Sequence, residues 1–371
     1  RIKLRASTGY TGSQGFSTYA AVPTVNYYQS GYRGQLGSYL LGLANPDLAW
    51  QKKYDNNLGI DVTFLDGSLN GRFDWYVSTT KGTITNVTTP PSTGFASYTA
   101  NLGEVENKGW EAYLNWRVWN EKASMSYVTL YVSASGNENT LKKVSNSLKS
   151  MNDVTDKDYD EKSENTSVPV RYEEGASMST IWVVKSLGID PETGKEVFRK
   201  KDGSLTYDWD SRDYVDGGDT RPKVSGNFGI NAEWHGIGLN AGFTWRLGGQ
   251  IYNTTLLNKV ENADVHKNVD RRVFTDRWNT PGQVARFKAI SDDSSTQPTS
   301  RFVEDYNLLT FSSLNVYYDF RECGFVKNSF LQRMKATFYM NDIATISSVK
   351  TERGTSYPFA RTFSFSLQVT F

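Results

Sequence analysis

Apolar and polar side chains alternate with a period of two along much of this chain. The clearest run closes it: Phe363, Phe365, Leu367, Val369 and Phe371 take the odd positions, and Ser364, Ser366, Gln368 and Thr370 the even ones. Such alternation predicts a strand with one greasy face and one wet face. The pattern recurs at 69–77 (Leu69, Gly71, Phe73, Trp75, Val77), at 110–118 (Trp110, Ala112, Leu114, Trp116, Val118), at 224–234 and at 237–247. Looser versions cover 54–64, 122–136, 306–320 and 332–342.

The connections set the architecture. Tight turns are expected at Asp66-Gly67, Asn120-Glu121 and His235-Gly236, with a medium connection through 321–329. Long polar stretches near 9–49, 84–103, 138–221, 253–304 and 343–359 alternate with them. Short-long alternation predicts an all-β fold, an antiparallel up-and-down transmembrane β-barrel wall of about ten strands. Short turns then face the periplasm and long loops the outside. Counting back from Phe371 puts both chain ends on the short-turn side, with "RIKLRAS" as a first upward strand. Trp119 and Trp234, beside two short turns, fit a lower aromatic girdle.

Composition narrows the partners. The 371 residues carry 41 basic and 40 acidic side chains, a net charge of +1, which argues against a nucleic-acid partner. Aromatics reach 14% although the mean hydropathy is −0.54, a pairing that suits half-polar barrel strands with polar loops. No run approaches the roughly 20 apolar residues of a membrane-spanning helix. The lone Cys323 excludes an internal disulfide. The start, "RIKLRASTGY", has no initiator Met and no signal core, so the chain reads as processed or as a fragment.

One stretch is more specific. "NPDLAWQKKYDNNLGIDVTFLDGSLNGRFDWYVSTTKG" resembles the C-terminal barrel half of SusC/RagA-type TonB-dependent outer-membrane transporters, through Asn45, Pro46, Leu48, Trp50, Lys52, Gly59, Asp61, Asp74 and Tyr76. Gln51 and Ser68 depart from the family pattern. The resemblance continues through Asn101, Gly103, Glu104, Asn107, Gly109 and Glu111, and through "LGIDPETGKEVF", "GGDTRPKVSGNFGI", "RLGGQIYN" and "YPFARTFSFSLQVTF". It implies a 22-stranded barrel with a lumenal plug, of which residues 1–371 would be the C-terminal portion of the wall. The plug and the N-terminal strands would lie outside this chain. It further implies a multi-pass protein of the bacterial outer membrane that imports oligosaccharides or peptides. The implied partners are the N-terminal barrel and plug portion, a SusD-like surface lipoprotein, the TonB complex acting through the plug, and outer-membrane lipid. The strand Phe363, Phe365, Leu367, Val369, Phe371 would serve as the address for barrel assembly.

Chemistry-bearing clusters are sparse. Asp156, Asp158 and Asp160 have calcium-loop spacing, but Glu161 and Ser167 stand where an EF-hand needs Gly and Glu. A solvated loop is the better reading. His235 and His266 have no nucleophile motif beside them. No catalytic residue, metal site or cofactor is expected, and the chain is read as no enzyme. Tyr27, Tyr28, Tyr32, Tyr39, Trp182, Tyr207, Trp209 and Tyr214 fall in the expected outer loops. Each is more simply explained by loop packing. As a group they suit sugar stacking or a lid lipoprotein, with Tyr207, Trp209 and Tyr214 as the candidates for substrate or partner contact. Two alternatives remain: a self-contained ten-stranded barrel acting as an enzyme or adhesin, whose first and last strands would pair, and a soluble carbohydrate-binding β-protein.

Overall fold

The structure is a computed structural model that describes residues 1–28, 33–89, 91–101, 103–162, 164–264, 266–350 and 361–371. Its body is one ten-stranded antiparallel sheet. In chain order the strands are β1 (Ile2–Ser13), β2 (Gln51–Phe64), β3 (Leu69–Lys81), β4 (Gly103–Glu121), β5 (Ser126–Val144), β6 (Val224–Trp234), β7 (Ile237–Tyr252), β8 (Val303–Asp319), β9 (Arg333–Ser347) and β10 (Phe363–Thr370). Each pairs with its sequence neighbour, so the up-and-down order holds. Among the described residues β1 pairs only with β2, and β10 only with β9. The first and last strands do not meet, as a self-closed ten-stranded barrel would require.

Register shows why the strands have two faces. Residues directly opposite in a ladder share a face. Stepping across nine strands, Ile2, Val62, Gly71, Leu114, Val132, Phe228, Phe243, Phe311 and Ala344 form one row. Every member is apolar. The row one residue along reads Lys3, Asp61, Arg72, Tyr113, Ser133, Asn227, Thr244, Thr310 and Thr345. Every member is polar or carries a hydroxyl. The period-two pattern of each strand is therefore locked to that of its neighbours. The apolar rows make the lipid face, where Phe228 stacks on Phe243 at 4.9 Å and Phe243 on Phe311 at 4.5 Å. The polar rows make the lumenal face.

Turns on one side are short. His235 and Gly236 both take positive φ, +47° and +86°, the backbone that continues the right-handed twist of a two-residue hairpin. Leu65, Asp66 and Gly67 close the β2–β3 turn with φ near +50° to +86°. The turn expected at Asn120-Glu121 lies farther on. Both residues stay in the ladder, opposite Tyr127 and Ser126, and the chain reverses through 122–125. A bulge between Arg117 and Trp119 displaces Val118 and turns Trp119 to the lipid face opposite Val128. Strands β1 and β5 also run past their expected ends, to Ser13 and Val144.

The long connections are folded. The stretch expected as loop 138–221 contains helix α1 (Asn146–Glu161) and a small four-stranded sheet built on Thr180–Ile189. Its hydrophobic core joins Ile181 and Val183 to Tyr252, Leu257, Val260, Phe287 and Phe302, so the 145–223 and 253–302 connections pack as one layer.

The two faces predict opposite responses to the same charge. Phe243→Arg puts a guanidinium on the lipid face and is expected to cost about 2–4 kcal/mol. Thr244→Arg, one residue along on the lumenal face, is expected to cost under about 1 kcal/mol. Urea unfolding in lipid vesicles checks this, and equal losses would contradict the assignment of faces.

Candidate functional site

The lumenal face carries the polar chemistry, in two zones. Nearer the short turns, Arg5 of β1 donates through Nε to Asp61 Oδ2 at 2.9 Å and lies 2.9 Å from Asp74 Oδ1. Arg72 Nε donates to the other Asp74 oxygen at 2.6 Å. Gly59 lies between them: a Cβ there would stand 2.5 Å from Asp74 Oδ1 and 2.6 Å from Arg5 Nη2. The Gly59, Asp61 and Asp74 positions of the sequence pattern therefore meet at Arg5, which sequence reasoning did not single out. Two arginines and two aspartates cancel there. At the short-turn rim, Arg333 donates to Asp319 Oδ2, Arg321 pairs with Glu233, and Tyr317 donates to Glu233 Oε2 at 2.7 Å.

Nearer the long loops the wall turns to amides. Asn107 Oδ1 accepts from Asn139 Nδ2 at 2.9 Å and from Asn137 Nδ2 at 3.3 Å, and Tyr76 donates to Asn137 Oδ1 at 3.1 Å. A cavity of about 450 Å³ opens here, against Lys53, Asp55, Asn57, Tyr76, Asn107 and Asn137. Glu111 stands in the ladder between Asp74 and Ser135. The Tyr76 ring crosses Gly109, where a Cβ would meet its hydroxyl at 2.5 Å. Tyr131 covers Gly229, and Tyr317 covers Gly238, in the same way. Glycine is needed at these points because the tyrosine across the ladder lies flat on the wall. A larger cavity, about 600 Å³, sits where β5 parts from β6, between Asn137 and Asn139 on one side and Asp219 and Arg221 on the other.

The remaining pattern positions are clips. Asn101 Nδ2 donates to the carbonyls of Ala49 at 2.9 Å and Gly82 at 2.7 Å, and its Oδ1 accepts from the Ala49 amide at 2.9 Å. Asn45 Nδ2 donates to the Thr99 carbonyl at 3.0 Å. Pro46 occupies the turn closed by the Leu48 amide on the Asn45 carbonyl, and Trp50 is exposed where β2 begins. Gly103 opens β4 at φ +134°, and a side chain there would strike the Lys143 carbonyl. Together they fasten the 14–50 connection to the 82–102 connection.

The loop aromatics divide. Tyr214 is 1% exposed and packs edge-on against Trp209 at 5.5 Å. Burial pushes its phenol up, and its hydroxyl has no hydrogen-bond partner among the described residues. Tyr214 thus has no surface to offer a substrate, contrary to expectation. The reason is the small sheet, whose core it fills with Trp182, Val184 and Phe198. Trp209 is tied by Nε1 to the Pro298 carbonyl at 3.0 Å. Tyr207 is exposed, donating to Asp190 Oδ2 at 2.8 Å. That bond raises the Tyr207 phenol, and Asp190 is held low, first by Thr193. Tyr27, Tyr28 and Tyr39 are exposed on a separate hairpin, and Tyr32 lies outside the described residues. Asp156, Asp158 and Asp160 fall on α1, where Asp156 pairs with Arg171 and Asp160 accepts from Ser211. No metal-holding cluster exists among the described residues.

A sequence model described as "TonB dependent receptor-like, beta-barrel" matches residues 1–320. The chain belongs to this family. Among similar proteins, TonB-dependent receptor P39 of Formosa agariphila is 23% identical over 397 residues, 92% of this chain and 36% of that protein. TonB-dependent receptor SusC of Bacteroides thetaiotaomicron is 31% identical over 128 residues, 31% of this chain and 12% of that protein. A structure of the RagAB peptide transporter superposes with a TM-score of 0.77 at 18% identity, over 94% of this chain and 38% of that one. The chain thus spans about two fifths or less of the length of the relatives it matches. Membership places this TonB-dependent receptor barrel in the bacterial outer membrane, with the apolar rows in lipid.

In this receptor barrel the outer layer is pinned by one arginine. Arg301 Nη2 lies 2.7 Å from Glu196 Oε2 and 2.6 Å from Glu261 Oε1, with all three side chains nearly buried. Thr299 and Thr296 donate to the same two carboxylates. Burial opposes the arginine's charge, but the two glutamates outweigh it and raise its pKa. Arg301→Met strands two buried carboxylates and is expected to cost the layer about 3–5 kcal/mol. Hydrogen exchange should then rise at amides 254–262 while the β6–β8 ladder stays protected. Unchanged exchange at 254–262 would show that the apolar core alone holds the layer.

Proposed function

We propose that this chain is the C-terminal barrel wall of a TonB-dependent importer of oligosaccharides or peptides, working with a SusD-like lipoprotein on its outer face. The observation that carries this reading is the open two-faced sheet: ten strands, apolar and polar by whole rows, with the outer edges of β1 and β10 unpaired among the described residues. An unpaired edge in hydrocarbon is costly, so further strands must complete the wall. The N-terminal barrel portion and a plug would supply them, and TonB would act through the plug. This chain's own part is recognition and passage, without bond-making. The amide zone around Asn107, Asn137 and Asn139 offers donors and acceptors suited to sugar hydroxyls or peptide amides. Support comes from family membership and from likeness to SusC and to the RagAB peptide transporter.

Terminal Phe371 stacks on Phe330 at 5.8 Å, at the short-turn rim. The exposed rings of Phe363 and Phe365, with Leu367 and the partly covered Val369, complete the apolar side of β10. This apolar side supports reading the strand as the address for barrel assembly.

Purification from native outer membranes in mild detergent, with mass spectrometry of what co-elutes, tests the assembly. A plug-bearing barrel portion and a surface lipoprotein are expected. A lone, monomeric, unfolding-resistant chain would overturn it. Uptake of labelled oligosaccharides and peptides by cells lacking the gene tests the transport, and undiminished uptake of both classes would count against it.

A further inference from the structure

The lipid face changes character at its long-loop edge. Ladder pairs place Lys52, Lys81, Glu104 and Lys143 in one outer row, directly above a row holding Tyr10, Tyr54, Thr79 and Glu106. Lys108 lies one row lower, opposite Glu138. Lys142, the extra residue of a bulge, joins Lys108 on Glu106, each at 2.9 Å. The Lys81 ammonium sits 5.7 Å over the Tyr54 ring, itself 5.8 Å from Tyr10. All five lysines are exposed. Against three glutamates they leave an excess of positive charge on an outward sector of β2–β5.

The other edge of the same face is different. There the outer positions are Phe64, Trp119, Trp234, Tyr318 and Met334. The exposed lysines at that edge, Lys122 and Lys327, lie in the turns and not in the strands, and Lys327 is paired with Glu322. The strand-borne lysine sector stands at the edge turned outward in an outer-membrane barrel.

We propose that this lysine sector binds the phosphate groups of an anionic lipid in the outward-facing leaflet. Immediately below it, Leu58 and Trp75 are exposed on the lipid face, so a phosphate at the lysines continues into a surface for acyl chains. A soluble anion would use only the upper half of that arrangement, whereas a phosphorylated lipid uses both. Ammonium groups at a membrane surface attract phosphate strongly because they are only partly screened there. Among the described residues Lys81 is held by the Tyr54 ring and not by a carboxylate, which leaves its charge for the ligand. The inference depends on membrane location and not on what the transporter carries.

The test titrates the intact transporter, in detergent, with a diphosphorylated glucosamine lipid and with its dephosphorylated form, reading bound lipid by native mass spectrometry. The phosphorylated lipid is expected to bind far more tightly. The Lys52→Gln/Lys81→Gln/Lys143→Gln variant should lose about a hundredfold in affinity, while the matching Lys→Arg variant keeps it. Equal binding of the two lipids by the native protein would overturn the proposal, even if the glutamine variant failed to fold. So would an undiminished affinity in a folded glutamine variant.

Discussion

A backbone amide in hydrocarbon has no water to bond, so each must find its partner in the ladder. That constraint fixes register, and register fixes everything else in the sheet. Because opposite residues share a face, a slip by one residue in β2 would put Asp61 into lipid, and one in β3 would put Arg72 into lipid and Phe73 into the lumen. The apolar row from Ile2 to Ala344 is the visible result. It runs unbroken across strands whose sequences share only their alternation.

The lumenal side obeys a second rule. Polar groups there are largely satisfied within the wall, as at Arg5 with Asp61 and Asp74, or Asn107 with Asn137 and Asn139. Tyrosines lie flat over glycines instead of projecting. The wall therefore presents a smooth, hydrogen-bonding surface whose charge is mostly cancelled, fitted to something that must pass or be held reversibly.

The sheet was legible in the sequence because period two and short-long spacing are local signals. Ten strands, their order and the common side of both chain ends follow from those alone. The Asn120-Glu121 turn was misplaced because the bulge at Val118 leaves no mark in residue types, although it turns Trp119 outward. Helix α1 was missed because its buried face, Leu148, Met151, Asn152 and Tyr159, holds only three apolar residues, spread through the largely polar sequence "NSLKSMNDVTDKDYDE". The site was less legible still. The pattern positions Asn45, Gly59, Asn101 and Gly103 stood out, but their work as clips and close approaches depends on partners 15 to 54 residues away. Tyr214 and exposed Tyr207 look alike in sequence. Only packing tells them apart.

The Glu196–Arg301–Glu261 contact has a consequence for how such loops diversify. It joins the 145–223 connection to the 253–302 connection across a buried charge triad. Exchanging the 253–302 connection alone would strand Glu196, and exchanging the 145–223 connection alone would take one of its two carboxylates from Arg301. Recombination between related receptors would therefore have to move the two as a matched cassette, together with β6 and β7 between them. Selection for new ligands would then act on that outer layer as a single heritable unit.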